Sequence, residues 1–146
     1  MALEQKIMGF YASEFVPKEI HDQYGYINSW WFVRPELLAI NAELKKDFNK
    51  AVIINNWKAG GQYNYSGYRP ITCKTGAANS QHRLAAATDT KIQDITADEI
   101  RAHILKNKAR YMALGLTTLE DAKFAPTWCH LDIRPTGLTE ILIVKP

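Results

Sequence analysis

The decisive stretch is Ser80-Gln81-His82-Arg83-Leu84-Ala85-Ala86-Ala87-Thr88-Asp89, answered near the end of the chain by Trp128-Cys129-His130-Leu131-Asp132. Imidazole and carboxylate are good ligands for Zn²⁺, and a site with three protein ligands leaves a fourth position for a water that the metal acidifies. His82 and Asp89 are too far apart to be neighbours on one helical turn. They suit a strand or turn that passes a metal twice, with the intervening alanines allowing close packing beneath it. His130 and Asp132 stand at i and i+2 on an expected strand, so they share a face while Cys129 and Leu131 take the other. Asp132 can serve the site directly, pair with Arg134 on its own face, or orient a ligand histidine.

The order Ser80, His82, Ala85, Ala87, Asp89, with His130 on a strand far downstream, resembles the pattern of the M15 family of zinc D-Ala-D-Ala peptidases, which share a fold with hedgehog-type signalling domains. Ser66-Gly67-Tyr68-Arg69 is similar to the family's arginine-bearing segment, and Gly76-Ala77-Ala78-Asn79 leads into Ser80 as it does there. The likeness covers the chain from about Arg34 onward. It implies a zinc-dependent peptidase of bacterial peptidoglycan, cutting next to a D-amino acid as a carboxypeptidase or endopeptidase. It also implies that Arg69 binds substrate and polarises the scissile carbonyl; a guanidinium offers fixed, permanently charged donors for both tasks. Ser80 is expected to fix its loop or bind substrate, since no Gly-x-Ser-x-Gly elbow makes it a nucleophile. Two positions depart from the family: Ala85 stands where glycine is usual. Thr127 stands where several branches carry their catalytic carboxylate.

The preferred assignment makes His82, Asp89 and His130 the Zn²⁺ ligands and Asp132 the acid/base. The alternative puts Asp132 on the metal and gives His130 the proton transfer; should Asp132 serve neither purpose, Asp121 or Glu120 upstream is the next carboxylate to try. A second function class, a peptidoglycan-binding or phage structural module on the same scaffold, follows if no carboxylate replaces the one missing at Thr127.

At 146 residues the chain is expected to be one domain with a core large enough to need neither disulfides nor a structural metal. Its 47% hydrophobic and 23% charged residues are ordinary for a globular protein and exclude disordered and collagen-like classes. Cys73 and Cys129 stand at no metal-binding spacing and read as reduced, partly buried thiols. The net charge of +3 comes without a basic block, so it suggests no nucleic acid and only a general attraction to an anionic surface such as a bacterial wall. No apolar run reaches the ~20 residues of a membrane span, and residues 1–10 lack the apolar core of a signal peptide. The expectation is cytoplasmic synthesis, followed by action on the wall after phage-type release or as part of a phage particle.

Working outward, Pro35 opens a pattern of Leu37, Ile40, Leu44 and Phe48 that predicts a helix from about Arg34 to Phe48. Ala51–Trp57 reads as a buried strand, and residues 58–80, rich in Gly, Tyr, Asn and Ser, as a long loop lining the cleft. Tyr63, Tyr65 and Tyr68 frame that cleft or pack the loop. Thr96-Ala97-Asp98-Glu99 is a capping box that opens a helix from about Ala97 to Ala113, on which His103 is expected to be solvated. Thr127–Arg134 and Thr139–Val144 read as a hairpin around Pro135-Thr136-Gly137. Tyr24, Tyr26, Trp30, Trp31 and Phe32 read as core rather than as a groove wall. The fold class is therefore α+β, a small antiparallel sheet with flanking helices, hedgehog/DD-peptidase-like by resemblance.

Overall fold

Four helices and five strands follow one another in a computed structural model that describes residues 3–146, leaving Met1 and Ala2 outside. The helices are α1 (Lys18–Asn28, broken at Gly25), α2 (Pro35–Phe48), α3 (Ala97–Lys106) and α4 (Lys108–Ala113). The strands are β1 (Val52–Ile53), β2 (Ala87–Ile92), β3 (Thr118–Glu120), β4 (Cys129–Asp132) and β5 (Leu142–Val144). They form one sheet in the order β1-β2-β4-β3-β5. The α+β class is as expected, but the sheet is mixed: β5 runs parallel to β3, and the other pairs are antiparallel.

Helix α2 begins at Pro35, where a missing N–H costs nothing, and ends at Asn49 in the left-handed conformation. The capping box forms as read: Thr96 Oγ1 accepts from Glu99 N at 3.1 Å, and Glu99 Oε2 accepts from Thr96 N at 2.7 Å. The expected helix Ala97–Ala113 is nevertheless two helices. Asn107 leaves helical geometry at φ −113° and ψ 28°, and its side-chain amide donates to the His103 carbonyl at 2.9 Å, a local bond that competes with the helical one.

Two strand readings are corrected. Ala51–Trp57 keeps only Val52–Ile53 in the sheet, because Asn55 and Asn56 turn their side chains to loop backbone: Asn55 Oδ1 accepts from Ser66 N and Asn56 Oδ1 from Tyr63 N. The predicted hairpin is absent. After β4 the segment holding Pro135 and Gly137 crosses past β3, so that Leu142 aligns with Thr118 and β3 lies between the two strands expected to pair.

The core lies on one face of the sheet. Ile40 and Leu44 of α2 and Ile100 and Ile104 of α3 pack with Ile92, Leu119, Cys129 and Leu131. Each fully buried aliphatic side chain contributes about 1.5–3 kcal/mol. Asn41 of α2 sits among them with its needs met, donating to Thr88 Oγ1 at 3.1 Å and accepting from Thr90 Oγ1 at 2.7 Å. With Thr88 and Thr90 turned to α2 and Cys129 and Leu131 in the core, strand alternation sends Asp89, His130 and Asp132 to the opposite face.

Cys73 and Cys129 are free and buried, and burial pushes the Cys129 thiol up to about 12. His103, expected in solvent, instead donates to Asp47 at 2.7 Å and packs against the Phe48 ring at a tilt of 57°, tying α3 to α2. Of the five early aromatics read as core, none is fully buried. Trp30 packs against the core, Trp31 is 74% exposed, and Tyr24 and Phe32 line a surface groove. Among the described residues no helix is long and apolar enough to cross a membrane.

Candidate metal centre

Asp89 and His130 are direct partners across β2 and β4, so the sheet register sets their separation. His82 reaches them from a 3₁₀ turn, Gln81–Leu84, that immediately precedes β2. Ser80 caps the turn, its Oγ accepting from His82 N at 3.3 Å. Ala85 ends it at φ +55°, which turns the chain into the strand. Left-handed geometry of this kind is the one that glycine adopts most readily.

His82 Nε2, Asp89 Oδ1 and His130 Nδ1 converge, the ligand atoms of the three residues all lying within 4.8 Å of one another. Individual separations from Asp89 Oδ1 are 3.2 Å to His82 and 2.9 Å to His130. The far nitrogen of each ring is already used. His82 Nδ1 must donate to the Gly67 carbonyl at 2.8 Å, which leaves Nε2 with a lone pair aimed at a carboxylate oxygen. His130 Nε2 donates to Asp132 Oδ2 at 3.0 Å, which leaves Nδ1 in the same position. Lone pairs that face one another need a cation between them, either a proton or a metal ion. The donor set therefore fits a metal ion, with a carbonyl and a carboxylate fixing the two imidazoles from behind.

Electrostatics agree. Burial opposes charge on His130, but hydrogen bonds to Asp132 and Asp89 and their charges outweigh it and hold the imidazole up at about 9. Burial likewise opposes charge on Asp89, and the two histidines overcome it, keeping the carboxyl far below the ordinary carboxylate range. A metal ion entering this cluster displaces the proton from His130.

Arg69 lies in the wall of the same cleft. Its Nε donates to the Tyr65 carbonyl at 2.7 Å and its Nη2 to Asp89 Oδ2 at 3.1 Å, so it occupies the carboxylate oxygen that the histidines leave. The segment Ser66–Arg69 is built for this. Gly67 passes so close to Phe15 that a Cβ would sit 2.1 Å from its carbonyl oxygen, and Arg69 N donates to the His82 carbonyl at 3.1 Å.

The cleft has a volume of about 640 Å³, and Ser80, His82, Asp89, His130 and Arg69 all line it. The stretch 58–80 contributes as expected, through Arg69, Thr75, Gly76, Ala77, Asn79 and Ser80. Tyr63, Tyr65 and Tyr68 do not line it: Tyr63 lies under the Lys91 ammonium at 4.1 Å, Tyr65 donates to Glu19, and Tyr68 faces another groove.

Asp132 is placed differently from its assigned role. It is 0% exposed, lies behind His130, and accepts from His130 Nε2, from Arg134 N at 3.2 Å and from Arg134 Nε at 2.9 Å. Burial opposes its charge, but these partners keep its carboxyl below the usual range. A sealed, doubly engaged carboxylate cannot exchange protons with a molecule in the cleft. The geometry suits the orienting and ion-pairing alternatives, and it also leaves Asp132 off the metal-facing side of His130.

Glu120 is the carboxylate that the cleft does present. Its Oε2 is 3.7 Å from His130 Nδ1, its side chain is 15% exposed, and among the described residues its carboxylate makes no hydrogen bond. Burial raises its pKa above the ordinary value, against the pull of His130. Glu120 ends a three-residue strand too short to show a period, so only its carboxylate identity marked it in the sequence. Trp128, also in the cleft wall, carried no signal beyond its place beside His130. Comparisons with protein-family models, with curated protein sequences and with solved structures give no match to this chain.

Proposed function

We propose that this chain is a zinc-dependent peptidase that hydrolyses bacterial cell-wall peptides at a bond next to a D-amino acid, as a carboxypeptidase or endopeptidase. The observation that carries the reading is the convergence of His82 Nε2, Asp89 Oδ1 and His130 Nδ1 in the wall of an open cleft. Two imidazoles and a carboxylate suit zinc better than the harder calcium or magnesium. Their order along the chain also resembles the ligand pattern of the zinc D-Ala-D-Ala peptidases. Zinc bound there would supply Lewis acidity, polarising a scissile carbonyl and making water a stronger acid.

The chain's own residues supply the rest. Gly67 and Asp132 fix the tautomers and orientations of the two imidazoles. Arg69 holds Asp89 and offers its remaining guanidinium edge to a developing oxyanion or a substrate carboxylate. Glu120, beside the ligand cluster with its carboxylate unbonded, takes a proton from the attacking water and passes it to the leaving amine. It would replace the carboxylate that several branches of the resembled family carry where this chain has Thr127. Ser80 holds the His82 turn and borders the substrate.

Thr127 also motivates the second reading, a wall-binding or phage structural module that holds the metal without turnover. Elemental analysis of purified protein, paired with incubation on peptidoglycan fragments, separates the two. One zinc per chain with release of new amino termini is expected, and His82→Ala should lose both. Zinc without turnover on any fragment would establish the binding module. Metal content unchanged in His82→Ala and His130→Ala would remove the site.

A further inference from the structure

Two guanidinium groups lean on the ligand cluster, one through Asp89 of β2 and the other through Asp132 of β4, and they do so in the same way. Arg69 spends Nε on the Tyr65 carbonyl and Nη2 on Asp89. Arg134 spends Nε and Nη2 on the two oxygens of Asp132, the carboxylate that orients His130, at 2.9 and 2.6 Å. Its backbone N donates to the same group at 3.2 Å. Among the described residues neither Nη1 makes a hydrogen bond, and both arginines line the metal cleft.

Neutralising Asp132 accounts for only one edge of Arg134. The bonds to Asp132 lie along the Nε–Nη2 edge, so the Nη1–Nη2 edge keeps its donors. Asp132 is sealed from solvent while the Arg134 side chain is 30% exposed, so the exposed part of the guanidinium is the part turned away from Asp132. That edge is planar, permanently charged and held in place from behind, which is the arrangement that takes an oxyanion through two parallel bonds. Lys145, just past β5, adds an exposed ammonium to the same lining. The carboxylates of the lining are Asp89, which is turned to the two histidines, and Glu120.

We infer that Arg134 is a second anion anchor of the metal cleft, binding a carboxylate that the substrate carries apart from any group held by the metal or by Arg69. The inference deepens the proposed function and rests on it for the substrate's being a peptide; the negative charge is read from the cleft alone. A neutral substrate lying over Arg134 would cover the free edge without an ionic partner and so desolvate a charge for no return. A peptide's own anionic groups are carboxylates, whose two oxygens match the spacing of the guanidinium edge. Arg134 therefore selects acidic peptides. If Arg134 served only to hold Asp132, its replacement would act on His130 and the metal without regard to the charge of what enters the cleft.

The test titrates the full chain as purified, its metal content measured, with glutarate, with the neutral diamide glutaramide and with inorganic phosphate, each followed by amide NMR. Glutarate should shift residues 130–134 and 143–145. Arg134→Gln should weaken it about tenfold, the loss of one charge-assisted contact, and Arg134→Lys, which keeps a cation beside Asp132 but not the planar edge, should fall between. Glutaramide should bind all three proteins alike. On an acidic wall peptide and the same peptide with its carboxylates amidated, amidation should raise KM about tenfold more in the wild type than in Arg134→Gln, while kcat responds alike to both peptides. Equal losses for glutarate and glutaramide would overturn the inference, because Arg134 would then act through Asp132 alone. Glutarate shifts confined to residues 66–89, with wild-type affinity in both variants, would overturn it as well. Phosphate binding more tightly than glutarate at Arg134 would overturn the carboxylate. Should Arg134→Gln not fold, Arg134→Lys decides by the same comparison. The two readings fail separately: charge-selective binding through Arg134 without turnover on any wall fragment removes the peptidase alone, and turnover that ignores the charge of the peptide removes the anchor alone.

Discussion

Exchanging Asp132 for asparagine and Glu120 for glutamine in separate proteins should split metal affinity from proton transfer. Asp132 accepts from His130 through one oxygen and from Arg134 through both. In Asp132→Asn the amide fits the same space, but its NH₂ faces either His130 Nε2 and Arg134 Nη2 or the Arg134 N and Nε, so two hydrogen bonds are lost, one of them a charge-assisted bond to the guanidinium. Such bonds contribute about 1.5–3 kcal/mol. Arg134 is 30% exposed and can turn to water, so the expected loss is near the middle, about 2 kcal/mol of unfolding free energy. A histidine freed from its orienting carboxylate binds metal about 10–100-fold more weakly. In Glu120→Gln the ligand cluster keeps all its bonds, so zinc affinity and stability should hold while turnover falls about 10²–10⁴-fold. Zinc competition against a chromogenic chelator, urea denaturation and release of amino termini from wall peptide measure the three quantities. If Asp132→Asn keeps wild-type zinc affinity and stability yet abolishes turnover, Asp132 moves the proton and the argument from its burial is wrong.

In Gly76→Ala a Cβ would stand 2.4 Å from Arg69 Nη1, at a φ of +79°. The flexible guanidinium should give way, leaving zinc bound and costing up to about 10²-fold in turnover; an unchanged rate would separate Arg69 from the chemistry. Ala85→Gly should stabilise, since a left-handed residue costs about 1–2 kcal/mol and glycine gives back about 0.5–1 through the unfolded chain. A higher urea midpoint with unchanged zinc content is the expected result. Asp47→Asn removes a carboxylate bonded to Arg110, His103 and Tyr111 and should cost about 2 kcal/mol near neutral pH. Because the Arg110 bond, against burial, holds the folded carboxyl well below its ordinary value, that stability is complete above the unfolded titration near ~4 and is lost as pH falls toward the folded value. The gap between wild type and variant in urea should therefore narrow in acid; a gap that widens would contradict the sign.

What the sequence made legible was the part written in short-range patterns. Helix α2 followed from Pro35 and its apolar spacing, the start of α3 from its capping box, and the shared face of His130 and Asp132 from strand alternation. What it hid depended on distant partners. Thr118–Glu120 is too short to show a period, yet it separates β4 from β5 and brings Glu120 to the cleft. The break at Asn107 depends on one side-chain amide finding a carbonyl, which propensity does not register. Asp132 looked like a catalyst because parity gives direction and not depth; only its burial and its bonds to Arg134 show that it is sealed behind His130.

The pairing of Asp89 with His130 across 41 residues also sets an order of events as the protein folds. Neither strand holds all three donors by itself: His82 and Asp89 come with β2 and the turn before it, and His130 comes with β4. The chain must close a long loop, at an entropic cost, before any cation finds three donors. On the proposed zinc reading, the ion would therefore bind after the sheet has formed rather than guide it, and the rate of zinc uptake on refolding would report the completion of β2 and β4. Removing zinc should leave the rate of that assembly unchanged while lowering the barrier to its reversal.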